Sequence, residues 1–347
     1  MKKYLAISMA LALVLVLAAC GGTSSAPASS AAPAPSSAAP APSSEAAPAG
    51  PTVKGDFIMA TGGTSGTYYA FGGVICQVLN AATGSNITAN STGASVENVR
   101  LLESGDADLA IVQTDIQAYA VGGTTLETFN GQPVDNVKAI ASLYPEVVHC
   151  VTTNMAINTV ADLKGKVVSM GAPGSGTRAN AEQFLEAYGL TAADVQVRDL
   201  SFAESGSALQ DGTIDAAFVV AGAPNSAITE LSVSKPVKIV SIGDAERAAI
   251  IAKYPYYADY TVGKDVYKTE ADATTLAIKA VLICRAEMSE DDVYALTKAL
   301  FENQPELAAA HAKGAELSGD TAMIGVVPGN VHPGAAKYYN EIGVKVP

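Results

Sequence analysis

Apolar and polar positions follow three regimes along the chain. Lys2 and Lys3 precede an apolar run from Tyr4 to Ala19, which ends in Leu17-Ala18-Ala19-Cys20-Gly21. Positive residues, an apolar stretch and small residues at its end predict an export signal over residues 1–19. Residues 20–53 are almost all Ala, Pro, Ser and Gly; such a tract cannot bury a core and predicts an extended tether. From Phe57 onward short apolar runs alternate with longer stretches of helical period. Phe57-Ile58-Met59-Ala60 leads into Gly63-Thr64-Ser65-Gly66-Thr67, and Lys166-Val167-Val168-Ser169-Met170 leads into Gly174-Ser175-Gly176-Thr177. Leu102-x-x-Gly105-x-x-Asp108-x-Ala110-x-Val112 recurs 107 residues later as Leu209-x-x-Gly212-x-x-Asp215-x-Ala217-x-Val219. Two matched pairs in one order at nearly one offset mark an internal repeat.

Each repeat unit reads strand, Gly-rich turn, helix, strand, helix, strand. The helices are expected at Thr67–Thr83 and Thr177–Tyr188, and the second strands at Asn86–Ala89 and Val195–Leu200. Alternating β and α predicts a mainly parallel sheet flanked by helices in each of two similar α/β lobes. Beyond the repeat, Val237–Ile242 and Leu276–Ile283 read as strands. A helix capped by Ser289 buries Val293, Leu296, Thr297 and Leu300, and Pro305 breaks or kinks it. A last helix spans Gly334–Ile342. Crossovers near Tyr144–Val148 and Ile242–Ala245 would give lobe I residues 54–144 and 245–347 and lobe II residues 145–244. Two crossovers between similar lobes predict a hinged clamshell.

The chain has 347 residues, 49% of them hydrophobic, and a net charge of −13. This acidity excludes nucleic acid as a partner. Apart from the leader, no stretch is apolar enough to span a bilayer. Cys76, Cys150 and Cys284 lie in apolar surroundings, so at most one disulfide forms and buried thiols are expected. His149, His311 and His332 are scattered and metal-ligand spacing is absent. No cofactor is expected.

The candidate chemistry lies in the two Gly-rich turns. A helix opening after such a turn offers free backbone N–H groups to an anion, and Ser65, Thr67, Ser175 and Thr177 add hydroxyls. These Ser and Thr residues are alternatively plain helix caps. Gly174–Ala179 also fits the G-x-G-x-x-A dinucleotide fingerprint, which leaves a nucleotide-binding protein or an extracytoplasmic clamshell enzyme as the alternative. Arg178 either forks onto a carboxylate or lies on a helix surface. Gln113-Thr114-Asp115 ends a strand at its carboxyl end, where sheet ligands bind. Ser95, Glu97 and Asn98 sit at a helix start. Tyr144 could wall the cleft and Glu146 take an ammonium. Asp108 and Asp215 read as structural, and His149 as a satisfied core residue. No nucleophile, base and oxyanion donor come together, so no catalysis is expected.

Small residues before Cys20 resemble the bacterial lipoprotein signal, which implies lipidation at Cys20 and a membrane anchor. The folded part resembles the substrate-binding proteins of the TAXI class of tripartite ATP-independent periplasmic (TRAP) transporters. The matching pieces are Gly62–Tyr69, Ser95–Asn98, Gly105–Asp115, Tyr144–Glu146, Leu163–Lys166, Gly171–Thr177, Ala299–Asn303 and His332–Ala335. The resemblance implies a two-lobe, type II-like periplasmic-binding-protein clamshell outside the cytoplasm, anchored by lipid. It would capture a small carboxylated solute, a glutamate-like amino acid or an organic acid, and deliver it to a TRAP-type permease. The ligand shell it implies draws on Thr64, Ser65, Thr67, Tyr68, Gln113, Tyr144, Ser175 and Thr177. With the residues' own chemistry, Ser95, Asn98, Glu146, Gly176 and Arg178 complete the expected site.

Overall fold

The structure is a computed structural model and describes residues 52–347. The export signal, Cys20 and nearly all of the tether lie outside the described residues.

The first repeat unit forms β1 (Asp56–Ala60), α1 (Thr67–Thr83), β2 (Asn86–Asn90), α2 (Ser95–Ser104) and β3 (Leu109–Gln113). α3 (Thr114–Gly122) and the long β4 (Val137–Thr152) follow. The second unit forms β5 (Val167–Ser169), α4 (Gly176–Ala187), β6 (Gln196–Arg198), α5 (Phe202–Asp211) and β7 (Ala216–Ala221). After it come α6 (Ser226–Ser234), β8 (Lys238–Ile239), α7 (Asp244–Lys253), β9 (Ala258–Val262), α8 (Lys264–Tyr267) and the long β10 (Ala273–Arg285). α9 (Glu290–Glu302), α10 (Gln304–Ala310) and α11 (Pro333–Glu341) complete the chain.

The repeated motif has the same physical job in both units. Gly105 and Gly212 end α2 and α5 in the left-handed region, at φ 80° and 71°, where a side chain would be strained. The aspartates three residues on then fasten the strands. Asp108 Oδ2 accepts from Ile58 N and Asp215 Oδ2 accepts from Val167 N, both at 2.9 Å. Their structural reading is correct.

The two parallel triplets do not form separate sheets. The strands run β2-β1-β3-β10-β4-β7-β5-β6 in one sheet, with β8 on β4 and β9 on β10. β10 pairs antiparallel with both β3 and β4, and β4 pairs antiparallel with β7. The lobes are therefore the two halves of one sheet, joined by two strands long enough to run through both. Helices cover both faces of each half. In lobe I, Phe71, Ile75, Leu296 and Leu300 pack on one face and Leu102, Ile116 and Phe129 on the other. In lobe II, Phe184 and Phe218 pack on one face and Ile228, Leu231 and Tyr267 on the other.

β4 carries the chain from lobe I into lobe II. The second crossover does not lie at Ile242–Ala245. Ile250 and Tyr257 pack with Phe184, and Val262 and Tyr267 pack with Val147 and Val219. Residues 245–276 thus belong to lobe II, and the return is along β10. The reason is pairing: β9 lies against the first half of β10, from Ala273 to Ala277, before that strand reaches lobe I. Val237–Ile242 yields only the two-residue β8, and Val240 N carries the same antiparallel register one step further by donating to Cys150 O at 2.8 Å. Pro305 sits in the first turn of α10, a position that tolerates its missing N–H. Ser289 and His332 cap α9 and α11. His149 is a core residue, bonded to Val219 O at 2.9 Å and Tyr267 Oη at 3.1 Å. Cys76, Cys150 and Cys284 are free and buried.

Candidate functional site

The two Gly-rich turns meet at one cavity of about 100 Å³ between the lobes. Lobe I contributes Ser65, Thr67, Tyr68, Ser95 and Gln113, lobe II contributes Ser175, Gly176 and Thr177, and β4 contributes Glu146. All nine were expected. The lobes touch around this cavity. The N–H groups of Val96 and Glu97, at the start of α2, donate to Gly174 O across the cleft at 3.0 and 3.1 Å. Asn225 Nδ2 donates to Ser65 O at 3.0 Å.

α1 and α4 aim their N-termini at this space, and the cap reading of their hydroxyls fails. Gly66 and Ser175 stand at the N-cap positions, and no side chain among the described residues caps either helix. Ser175 Oγ is buried without a hydrogen-bond partner. Two uncapped helix starts on facing lobes offer N–H groups and positive dipole ends to one ligand. An unpartnered buried hydroxyl costs free energy until something fills it.

Among the described residues Glu146 is the one charged residue lining the cavity, and it is buried. Tyr68 Oη donates to its Oε2 at 2.6 Å, and Ser95 Oγ lies 3.3 Å from the same phenol. Burial pushes Glu146 up to about 8, against the lowering effect of the Tyr68 hydrogen bond, with the Asp115 charge adding to the rise. Burial thus favours the protonated form of Glu146 near neutrality. A ligand ammonium would favour the carboxylate and release that proton. Ser95 does not cap α2; its Oγ accepts from Gln113 N at 3.1 Å.

Four expected residues lie outside the cavity lining. Thr64 is exposed at the tip of its turn. Asn98 is a buried tie: its Nδ2 donates to Thr61 O and Ile111 O at 2.6 and 2.8 Å, and its Oδ1 accepts from Thr92 Oγ1 at 2.6 Å. Tyr144 is buried edge-on against Phe71, behind the wall rather than in it. Arg178 lies on the lobe II surface, where Nε meets Glu182 at 2.7 Å and Nη1 meets Asp199 at 2.6 Å. Two carboxylates of its own lobe satisfy it, so the ligand reading of Arg178 is corrected to the surface one. The dinucleotide turn is also occupied: the carbonyl of Gly174 serves α2, and a Cβ at this position would come within 3.3 Å of the Glu97 side chain.

Sequence reasoning missed Thr92, Gly93, Ala94, Ser201, Phe202, Val220 and Ala221 in the lining. The repeat held the signal for two of them, Phe202 and Val220, and pairs two others with each other. At the 107-residue offset Ala94 corresponds to Ser201, Ser95 to Phe202 and Gln113 to Val220.

A family model described as NMT1-like family matches residues 59–343. Among solved structures, the chain is similar to the alkanesulfonate-binding protein SsuA from Xanthomonas axonopodis pv. citri, at 15% identity over 82% of this chain and 83% of that one, with a TM-score of 0.48. It is similar to the periplasmic aliphatic sulphonate binding protein SsuA from Escherichia coli, at 17% identity over 82% of each chain, with a TM-score of 0.41. An ancestral arginine-binding protein bound to arginine matches at 16% identity over 75% of this chain and 97% of that one, with a TM-score of 0.43.

Proposed function

The chain belongs to the NMT1-like family, and we propose that it is an extracytoplasmic solute receptor that closes on a small carboxylated solute. The observation that carries this reading is the pair of uncapped helix starts, one from each lobe, on a single cavity. A solute carboxylate takes the N–H groups and hydroxyls of these turns. Glu146 takes a second, cationic group, which favours a glutamate-like amino acid over a plain organic acid. The expected export signal and the small residues before Cys20 support a receptor held on the outer side of a membrane by a lipid anchor. The TAXI-like motifs give it a TRAP-type permease as partner.

Native mass spectrometry of purified full-length protein tests the capture: a co-purified carboxylated solute supports it, and an empty cavity that also ignores L-glutamate in calorimetry sinks it. Uptake by vesicles carrying receptor and permease, driven by an ion gradient without ATP, supports the partner. Uptake that requires ATP removes it. Cys20→Ser should release the protein from membranes.

A further inference from the structure

Behind the cavity wall lies a buried polar chain that the proposed capture does not use. Asp115 at the start of α3 is fully buried, and its Oδ1 accepts from Ile116 N at 2.7 Å. Its Oδ2 accepts from Nδ2 of Asn180, on α4 of the other lobe, at 2.9 Å. The same Nδ2 donates to Tyr257 Oη at 2.6 Å, which uses both of its hydrogens. Asn180 Oδ1 is left to accept from Gln113 Nε2 at 2.9 Å. Gln113 Oε1 is then buried without a partner, on a residue that lines the cavity.

Two acceptors set the order of these bonds, Asp115 and the Tyr257 hydroxyl, whose own hydrogen goes to Gln183 Oε1 at 2.6 Å. An ionised carboxylate only accepts, so it holds the donor end of Asn180 and turns the acceptor end toward Gln113. Gln113 must answer with its own donor end, which leaves its oxygen for the ligand. We propose that Asp115 and Asn180 are positioning residues that fix the Gln113 amide with its oxygen available to the solute, so that this wall takes a hydrogen-bond donor and rejects an acceptor. The inference rests on the binding reading above and deepens it: the group beside Gln113 is an ammonium or hydroxyl, not a carbonyl. Because Asn180 and Asp115 stand on different lobes, the setting exists only when the lobes are shut.

Protonation relaxes the chain. Burial pushes Asp115 up to about 7, and the titratable groups facing it are Tyr119, Tyr256, Tyr257 and Glu146, none of them cationic. A protonated Asp115 is also a donor and no longer dictates the orientation of Asn180.

The test compares L-glutamate with 2-oxoglutarate, which differ in an ammonium against a carbonyl, by calorimetry at pH 8. Wild type should prefer L-glutamate, and Asp115→Asn should shrink that preference about tenfold, as one hydrogen bond turned from favourable to unmade. In parallel, the side-chain NH₂ signals of Gln113 and Asn180 in nitrogen-15 spectra of wild type should move together as the pH passes from 6 to 8. An unchanged preference in Asp115→Asn, a wild type that prefers 2-oxoglutarate, or carboxamide signals indifferent to pH would each overturn the relay. If wild type binds neither solute, the proposed solute class fails, and the carboxamide signals alone decide the relay in one direction or the other. The pH series needs no variant, so a misfolded Asp115→Asn leaves the proposal testable.

Discussion

The two lobes bring the same backbone positions to the cavity and fill them with opposite chemistry. Ser95 and Gln113 of lobe I correspond in the repeat to Phe202 and Val220 of lobe II, and all four line the cavity. What the lobes share is the Ser-Gly-Thr turn with its uncapped helix. What they do not share is the wall beside it, where Ser95 and Gln113 answer to Phe202 and Val220, although the third pair, Ala94 and Ser201, is reversed. A repeat with identical walls would suit a symmetric ligand. This one suits a solute with an anionic group held by both lobes, a polar group facing lobe I and a hydrocarbon face toward lobe II.

The largest effect should come from removing the polar side. Glu146→Gln takes away a charge-assisted bond of about 1.5–3 kcal/mol, so affinity for L-glutamate should fall roughly ten- to hundred-fold. Phe202→Ala should weaken L-glutamate and 2-oxoglutarate by the same factor, about tenfold, since an apolar wall does not tell them apart. Calorimetry on both variants measures the asymmetry; equal loss of selectivity in the two would break it.

The next effect is on stability, and it follows pH. Glu146 and Asp115 keep their protons in the folded protein to about 8 and about 7, against ordinary values of 4.5 and 3.8. The unfolded chain has already lost those protons at pH 6.5, so the empty protein should lose stability as pH rises from 6.5 to 8, by about 1 kcal/mol per unit. His149, held down to about 4 from 6.5 by burial, acts in the opposite sense, mainly below pH 6.5 and fading by about pH 7.5. Denaturant titrations at the two pH values check this, and Glu146→Gln should flatten the slope. A stability that climbs over this range would contradict the burial of both acids.

A smaller effect separates a ligand hydroxyl from a cap. Ser175 and Ser289 occupy the same helix-start position with similar backbone angles, yet only Ser289 accepts a bond, from Asp292 N. Ser289→Ala should cost about 1 kcal/mol of stability. Ser175→Ala should cost none, and should weaken solute binding about three- to tenfold through one lost hydrogen bond. A destabilised Ser175→Ala would return that residue to capping. The smallest effect belongs to Arg178→Ala, whose surface ion pairs are worth less than about 1 kcal/mol, with affinity unchanged.

These contrasts also mark what local pattern conveys. The repeat, the strands after Asp108 and Asp215, and the inward stripe of α9 were legible because period and turn chemistry are local. The second crossover was not, because whether residues 245–276 pack on lobe II depends on β9 pairing with one half of a strand whose other half serves lobe I. Asn98 and Tyr144 carry side chains that suit a ligand shell equally well. Only the carbonyls around Asn98 and the ring beside Tyr144 reveal that their partners are internal. Arg178 was ambiguous for the same reason: Asp199, which holds it, lies on the far side of a helix and a strand. Phe202 and Val220 escaped notice because apolar residues at a helix start and a strand end look like core until the cavity is seen.

The shared strands set an order of assembly. Lobe II is contiguous, from the second half of β4 to the first half of β10, whereas the β3 edge of lobe I receives its neighbour only when the second half of β10 arrives. A chain that emerges N-terminus first therefore completes its second lobe before its first. Until then the earliest-made triplet presents β3, buried at every residue in the finished molecule, as an open strand edge. β10, which both lobes share, is thus also the last seam to be sewn, and truncation just before it should leave a chain that aggregates through β3 rather than a folded half.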